Sequence, residues 1–77
     1  MSKEKRINGY MKIALGVVHT DFSYEQKDEI LKRVEKTVSR EWSDGSINYK
    51  ENRLVVDCIF NCRTEILKQK AALRYSA

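Results

Sequence analysis

The sequence predicts an α+β fold. We expect a single small domain with the element order β-α-β-β-α, in which the third strand is central in a three-stranded mixed sheet and the helices pack on one face. Three segments carry this prediction. Apolar side chains alternate along residues 10–19, follow a helical period along residues 24–42, and are densest, with many β-branched and aromatic members, along residues 53–62.

The first strand is expected at residues 10–19 because side chains two residues apart share one face of a strand. One face would be apolar, and it would consist of Met11, Ile13, Leu15 and Val17. A strand with this pattern is half-buried, with its apolar face on the core.

The first helix is expected at residues 24–42. Ser23 and Gln26 have the spacing of a capping box, which satisfies two backbone N–H groups at a helix start. Gly45 suits the left-handed position after the helix end. At about 100° per residue, the apolar side chains form one stripe that would face the core. This stripe consists of Ile30, Leu31, Val34, Val38 and Trp42.

A hairpin is expected next. Residues 46–50 alternate as a short strand, Glu51 and Asn52 form a turn, and residues 53–62 follow as a strand that is apolar on both faces. Such a strand favours the central position, antiparallel to both neighbours. The last segment, residues 63–75, contains good helix formers and is predicted to be helical, with continuation of the third strand through Leu67 as the alternative.

The composition is typical of one folded domain. The chain has 77 residues, of which 42% are hydrophobic, too many for a disordered chain. No apolar run approaches the ~18 residues of a membrane span, and no signal-type hydrophobic segment follows the N-terminus. We therefore expect a cytoplasmic protein without a membrane partner. Residues 1–9 are charged and unpatterned, which predicts a flexible basic tail before a compact domain at residues 10–77.

The residues offer little for catalysis. His19 is the only histidine, and together with Cys58 and Cys62 it supplies three potential ligands, one fewer than a structural zinc site needs. On a strand the two cysteines lie about 13 Å apart, too far for a disulfide, so free thiols are expected. The three glycines are dispersed, so no phosphate-binding loop is formed. We expect no catalytic activity, metal, cofactor or small-molecule substrate.

The final helix carries cations where a core-facing stripe should be. Arg63, Lys70 and Arg74 fall within about 40° of one another, bordered by Ile66 and Leu73 on one flank and by Leu67 and Ala71 on the other. Such a band cannot be fully buried in a monomer without stranding charge. Either the long side chains snorkel past the core edge, or this surface meets another molecule.

A macromolecular partner is therefore predicted for a small, non-catalytic regulatory protein. The net charge of +4 favours nucleic acid as the first choice. The phosphate contacts would come from the final helix and the N-terminal tail: Arg63, Lys70, Arg74, Lys68, Lys3, Lys5 and Arg6. The alternative is a protein-binding adaptor or inhibitor that docks the same helix on an acidic surface, with Tyr75 as an anchor. A homodimer that pairs this helix or an edge strand across a two-fold axis is the third option.

Overall fold

The protein is a bundle of three α-helices. The computed structural model describes residues 2–76 and, within them, side chains up to residue 73. The helices are α1 (Lys3–Val18), α2 (Tyr24–Ser43) and α3 (Tyr49–Ser76). No strand occurs between residues 2 and 76, so the predicted α+β fold with its three-stranded sheet is wrong.

The segment predicted as the first strand lies in α1. The buried residues of this helix are Ile7, Ala14, Val17 and Val18, spaced as one face of a helix requires. Ile13 and Leu15, which the strand would have buried, are 49% and 55% exposed. Over a segment this short, apolar residues that alternate as in a strand can also fit the 3.6-residue repeat of a helix. Ile7 extends the buried stripe of this helix by a further turn and more. α1 thus includes residues 3–9, the segment expected to be a tail.

The predicted hairpin and the final helix are one continuous helix, α3. Glu51 and Asn52, which were expected to form the hairpin turn, lie at the start of this helix. The helix begins here because Asn48 and Glu51 cap each other. The Asn48 Oδ1 accepts a hydrogen bond from the Glu51 N–H over 2.8 Å, and the Glu51 Oε1 accepts one from the Asn48 N–H over 2.8 Å. The helical prediction for residues 63–75 is confirmed, although the helix begins 14 residues earlier, at Tyr49.

The core-facing side of α3 explains why the strand pattern failed. Its buried residues recur in alternating steps of three and four, which is the spacing of a helix that packs along its length against other helices. They are Asn52, Val55, Ile59, Cys62 and Ile66. The β-branched residues between positions 54 and 59 therefore divide between the core and the surface of a helix.

α2 agrees with its prediction to within one residue. The Ser23–Gln26 capping box is formed in both directions, and Gly45 has φ +85°. Leu31, Val34 and Val38 are buried in the core. Trp42, at the end of the stripe, is 45% exposed and packs on Tyr49 instead.

Polar contacts join the helices at both ends of the bundle. Near the C-terminus of α1, the Lys27 Nζ donates hydrogen bonds to the Val18 carbonyl oxygen and the Gln69 side-chain oxygen over 3.0 and 3.2 Å. At the opposite end, Lys3 forms an ion pair with Glu51 of α3. The molecule is elongated, with extents of 47 × 20 × 16 Å. None of its described helices combines the length and the apolar character needed to cross a membrane.

Candidate functional site

The cations predicted to bind a partner lie in two groups at opposite ends of the bundle. Lys3 and Arg6 are at the end where α3 begins, since Lys3 pairs with Glu51 over 3.3 Å. Arg63 lies at the middle of α3, and Lys70 lies toward its other end. About 19 residues of helix separate the level of Glu51 from that of Lys70, which corresponds to roughly 28 Å. The two groups do not form one continuous basic surface.

Ion pairs within the chain also occupy several of these cations. The Arg6 Nε lies 2.7 Å from the Glu41 Oε1. Burial, followed by the charge of Glu41 and a hydrogen bond from the Tyr10 hydroxyl to it, raises the pKa of Tyr10. Tyr10 packs against the core of the bundle. Lys5 is exposed on α1.

Arg63 joins α3 to α2. Its Nη1 and Nη2 donate to the two carboxylate oxygens of Glu35 over 3.3 and 2.9 Å, and its Nε lies 3.5 Å from the Asp28 Oδ1. Hydrogen bonding to the Glu35 carboxylate is the largest cause of the raised pKa of Arg63. Arg63 snorkels to the edge of the core and is neutralised there, as the first of the two sequence interpretations expects.

Lys70 also turns toward α2, where its Nζ lies 5.4 Å from the centre of the Tyr24 ring. Lys68 is exposed on the far side of α3. Arg74 and Tyr75 belong to the helical backbone of α3, and their side chains lie outside the described residues. Leu67 lies about one turn before Lys70 on α3 and is 63% exposed.

Leu67 belongs to a line of apolar side chains that the sequence reasoning missed. We name this line the α3 seam, and it consists of Tyr49, Val56, Phe60 and Leu67. At about 100° per residue these four positions fall within about 40° of one another, roughly 100° around the helix from the core-facing side. Tyr49, Phe60 and Leu67 are 62%, 68% and 63% exposed, and Val56 is half-buried.

The arginines along the α3 seam have carboxylate partners within the chain. Arg53 lies between Tyr49 and Val56, and its Nη2 is 2.9 Å from the Asp57 Oδ1. Arg63 lies between Phe60 and Leu67 and holds Glu35. The seam therefore presents apolar side chains separated by neutralised ion pairs. At the Tyr49 end it continues onto α2, where Trp42 packs against Tyr49 with ring centres 5.9 Å apart.

The helical register is the signal that would have found this surface. Steps of seven, four and seven residues connect the four seam positions, which is a helical spacing. Once residues 53–62 are interpreted as a central strand, Val56 and Phe60 share one face of a sheet, and no line along a helix surface exists. The exposed apolar residues elsewhere in the described chain include Leu54, on a different side of α3.

The two cysteines are one turn apart on α3, so the separation of about 13 Å expected for a strand is wrong. Both are free thiols. Cys62 is 2% exposed, and burial, together with the neighbouring Cys58, raises its pKa to about 11. A thiol with this pKa is protonated at neutral pH and is a poor nucleophile. Among the described residues, no three His, Cys, Asp or Glu side chains gather where they could hold a metal ion.

No family model, no curated protein and no solved structure matches this chain.

Proposed function

We propose that the protein is a small, non-catalytic regulatory module that binds a partner protein through the α3 seam. The observation that carries this proposal is the exposure of Tyr49, Phe60 and Leu67 in one line on one helix. Large apolar side chains exposed along one face of a small protein are typical of interaction sites. Full burial of a side chain such as Phe or Leu contributes roughly 1.5–3 kcal/mol, so these residues can supply much of a binding free energy.

The arrangement of charge supports protein rather than nucleic acid as the partner. A duplex needs several cations facing one continuous strip of phosphates. In this bundle Lys3, Arg6 and Arg63 hold carboxylates of their own chain, and the first two lie at the opposite end of α3 from Lys70. Exposed aromatic side chains flanked by arginine, by contrast, are typical of protein–protein interfaces.

We propose that the protein is cytoplasmic. Cys58 and Cys62 are both free thiols, and reducing compartments keep thiols in this state. The mode of binding would be docking of a partner against a preformed helix face, because α3 is held in place by contacts with both other helices.

Site-specific photocross-linking tests this function. A photoreactive phenylalanine analogue replaces Phe60 in one full-length variant and Leu54 in the control variant, since Leu54 is 53% exposed on another side of the same helix. We expect a specific adduct in cells from position 60 and not from position 54. The cross-linked protein is then purified and titrated with the unmodified chain.

The titration decides the outcome. Phe60→Ala and Leu67→Ala should each weaken binding of the purified partner by at least about tenfold, as hot-spot truncation does, whereas Leu54→Ala should leave it unchanged. Equal effects of the three substitutions would contradict the proposal. So would tight binding of a DNA or RNA duplex that weakens steeply with salt and depends on Lys70.

A further inference from the structure

We propose that the α3 seam binds a second copy of the chain, with the two α3 helices antiparallel about a two-fold axis. This inference depends on the proposed function of the seam and names its occupant. A two-fold interface is self-complementary, so each residue at the interface must find its counterpart on the same surface of the other copy. The spacing of the seam residues meets this condition.

The seam has the same spacing in both directions along the helix. Its steps are seven, four and seven residues, and its midpoint is at position 58. An antiparallel pair centred there brings Tyr49 of one copy beside Leu67 of the other, and Val56 beside Phe60. Each larger side chain meets an aliphatic one, which is how alternating sizes fill a helix–helix interface.

The position of Lys70 favours this orientation over a parallel one. Lys70 lies beyond Leu67 at one end of α3, and a parallel pair would bring its two copies to the same level. The antiparallel pair instead brings Arg53 of one copy level with Arg63 of the other, and each of these arginines already holds a carboxylate of its own chain. In the antiparallel pair, each Lys70 is 12 residues from the axis, so the two copies of this residue are about 36 Å apart along the helices. That separation exceeds the Debye length of about 8 Å at physiological ionic strength.

The arginines within the seam do not prevent burial. The Arg53 guanidinium lies 2.9 Å from the Asp57 carboxylate, and the Arg63 guanidinium forms two hydrogen bonds with Glu35. Each cation therefore enters the interface with its counter-charge already in contact, and no uncompensated charge has to leave water. The aliphatic parts of both side chains add apolar surface.

Sedimentation equilibrium of the full chain tests the association. We expect a mass approaching twice 9.0 kDa as the concentration rises. Phe60→Glu should remain at the mass of one chain over the same range, because it places a charge beside Val56 of the other copy. Leu54→Glu, the matched control on another side of α3, should associate as the wild type does. Circular dichroism verifies that both variants keep their helix content.

Disulfide trapping tests the register. In the antiparallel pair, Tyr49 and Leu67 of opposite copies are adjacent, whereas two copies of either residue are about 27 Å apart. Mixing a Tyr49→Cys chain with a Leu67→Cys chain should therefore give a mixed disulfide between positions 49 and 67, identified by mass spectrometry of peptides. Each variant alone should not form the corresponding homodisulfide.

Two results would overturn the inference. The first is a wild-type chain whose mass stays at 9.0 kDa up to a concentration of about 1 mM. The second is the formation of homodisulfides in place of the mixed disulfide between positions 49 and 67. The first result combined with a cross-link from position 60 to a different protein would overturn only the second copy as occupant. The proposed function would fail separately, through loss of the cross-link or through insensitivity of a purified partner to Phe60→Ala.

Discussion

The side-chain ammonium group of Lys27 donates a hydrogen bond to the backbone carbonyl oxygen of Val18 over 3.0 Å. Val18 is the last residue of α1, where carbonyl groups lack helical partners and carry the negative end of the helix dipole. The Gln69 amide donates to the same oxygen over 3.1 Å, and its side-chain oxygen accepts from Lys27. One residue from each helix thus meets at this junction.

We expect Lys27→Met to destabilise the fold by roughly 1.5–3 kcal/mol, because hydrogen bonds to a charged group are lost at a buried position. Methionine keeps most of the side-chain volume, so the change tests the ammonium group. Urea unfolding measures the loss, with Lys36→Met on the exposed side of α2 as the control. Equal stability of the two variants would show that the junction contributes nothing specific.

Two glycines of α1 should be sites of stabilisation. Gly9 and Gly16 lie inside the helix, and a Cβ built on either has no atom within 4 Å. Gly9→Ala and Gly16→Ala should each raise the free energy of unfolding by roughly 0.5–1 kcal/mol, since alanine reduces the freedom of the unfolded chain. Thermal and urea unfolding both measure the change.

Gly45→Ala is the contrasting variant. The space around Gly45 is equally open, but its φ of +85° is unfavourable for alanine. We expect a lower melting temperature for this variant and a higher one for the two α1 variants. A gain at all three positions would mean that the α2–α3 connection relaxes at no cost.

Acid should weaken the caps around the α2–α3 connection. Hydrogen bonds from Ser46 lower the pKa of Asp44, and the Asn48 backbone N–H lowers that of Glu51. A carboxylate whose pKa is lower in the folded state stabilises the fold above its unfolded pKa, and this contribution is lost as the pH falls through the folded pKa. The free energy of unfolding should therefore fall with pH below about 4.5, the ordinary pKa of a glutamate.

Glu51→Gln tests the Glu51 contribution to this acid sensitivity. The amide oxygen keeps an acceptor for the Asn48 N–H but does not titrate between neutral and acid pH. We expect a smaller dependence of stability on pH for Glu51→Gln than for the wild type, measured by urea unfolding across that range. Identical pH profiles would contradict the assignment.

The two thiols should differ in reactivity. Cys58 is half-buried, whereas Cys62 is buried and has a pKa of about 11. At mildly alkaline pH, iodoacetamide should modify Cys58 well before Cys62, because the thiolate is the reactive form. Mass spectrometry of peptides gives both rates, and denaturant should make them similar. Faster modification of Cys62 in the folded protein would contradict the packing of α3.

α2 shows how much of the fold can be predicted from sequence. Its signals are local: Ser23 and Gln26 cap each other within one turn, and Gly45 ends the helix. The stripe of apolar residues, from Ile30 to Trp42, follows one helical period over about three turns, and a strand has no such period. The boundaries agree with the prediction to within one residue, and Leu31, Val34 and Val38 lie in the core as expected, because these signals need no distant segment.

α3 shows why the rest was not predictable. The run from Leu54 to Phe60 has the β-branched and aromatic composition of a strand, but the helix propensities of such residues differ from those of good formers by only tenths of a kcal/mol. Burial of Val55 and Ile59 against the other two helices outweighs that difference. The α3 seam was missed for the same reason, since its residues form a line only in the helical register.

Short-range chemistry in the sequence determined α2 and the helical character of the last segment. Tertiary packing decided that residues 3–18 and 49–62 are helical, that Arg63 holds Glu35, and that Phe60 faces outward. The physical reason is that capping acts between residues a few positions apart. The choice between a period of two and one of 3.6 depends on which side chains the neighbouring helices bury.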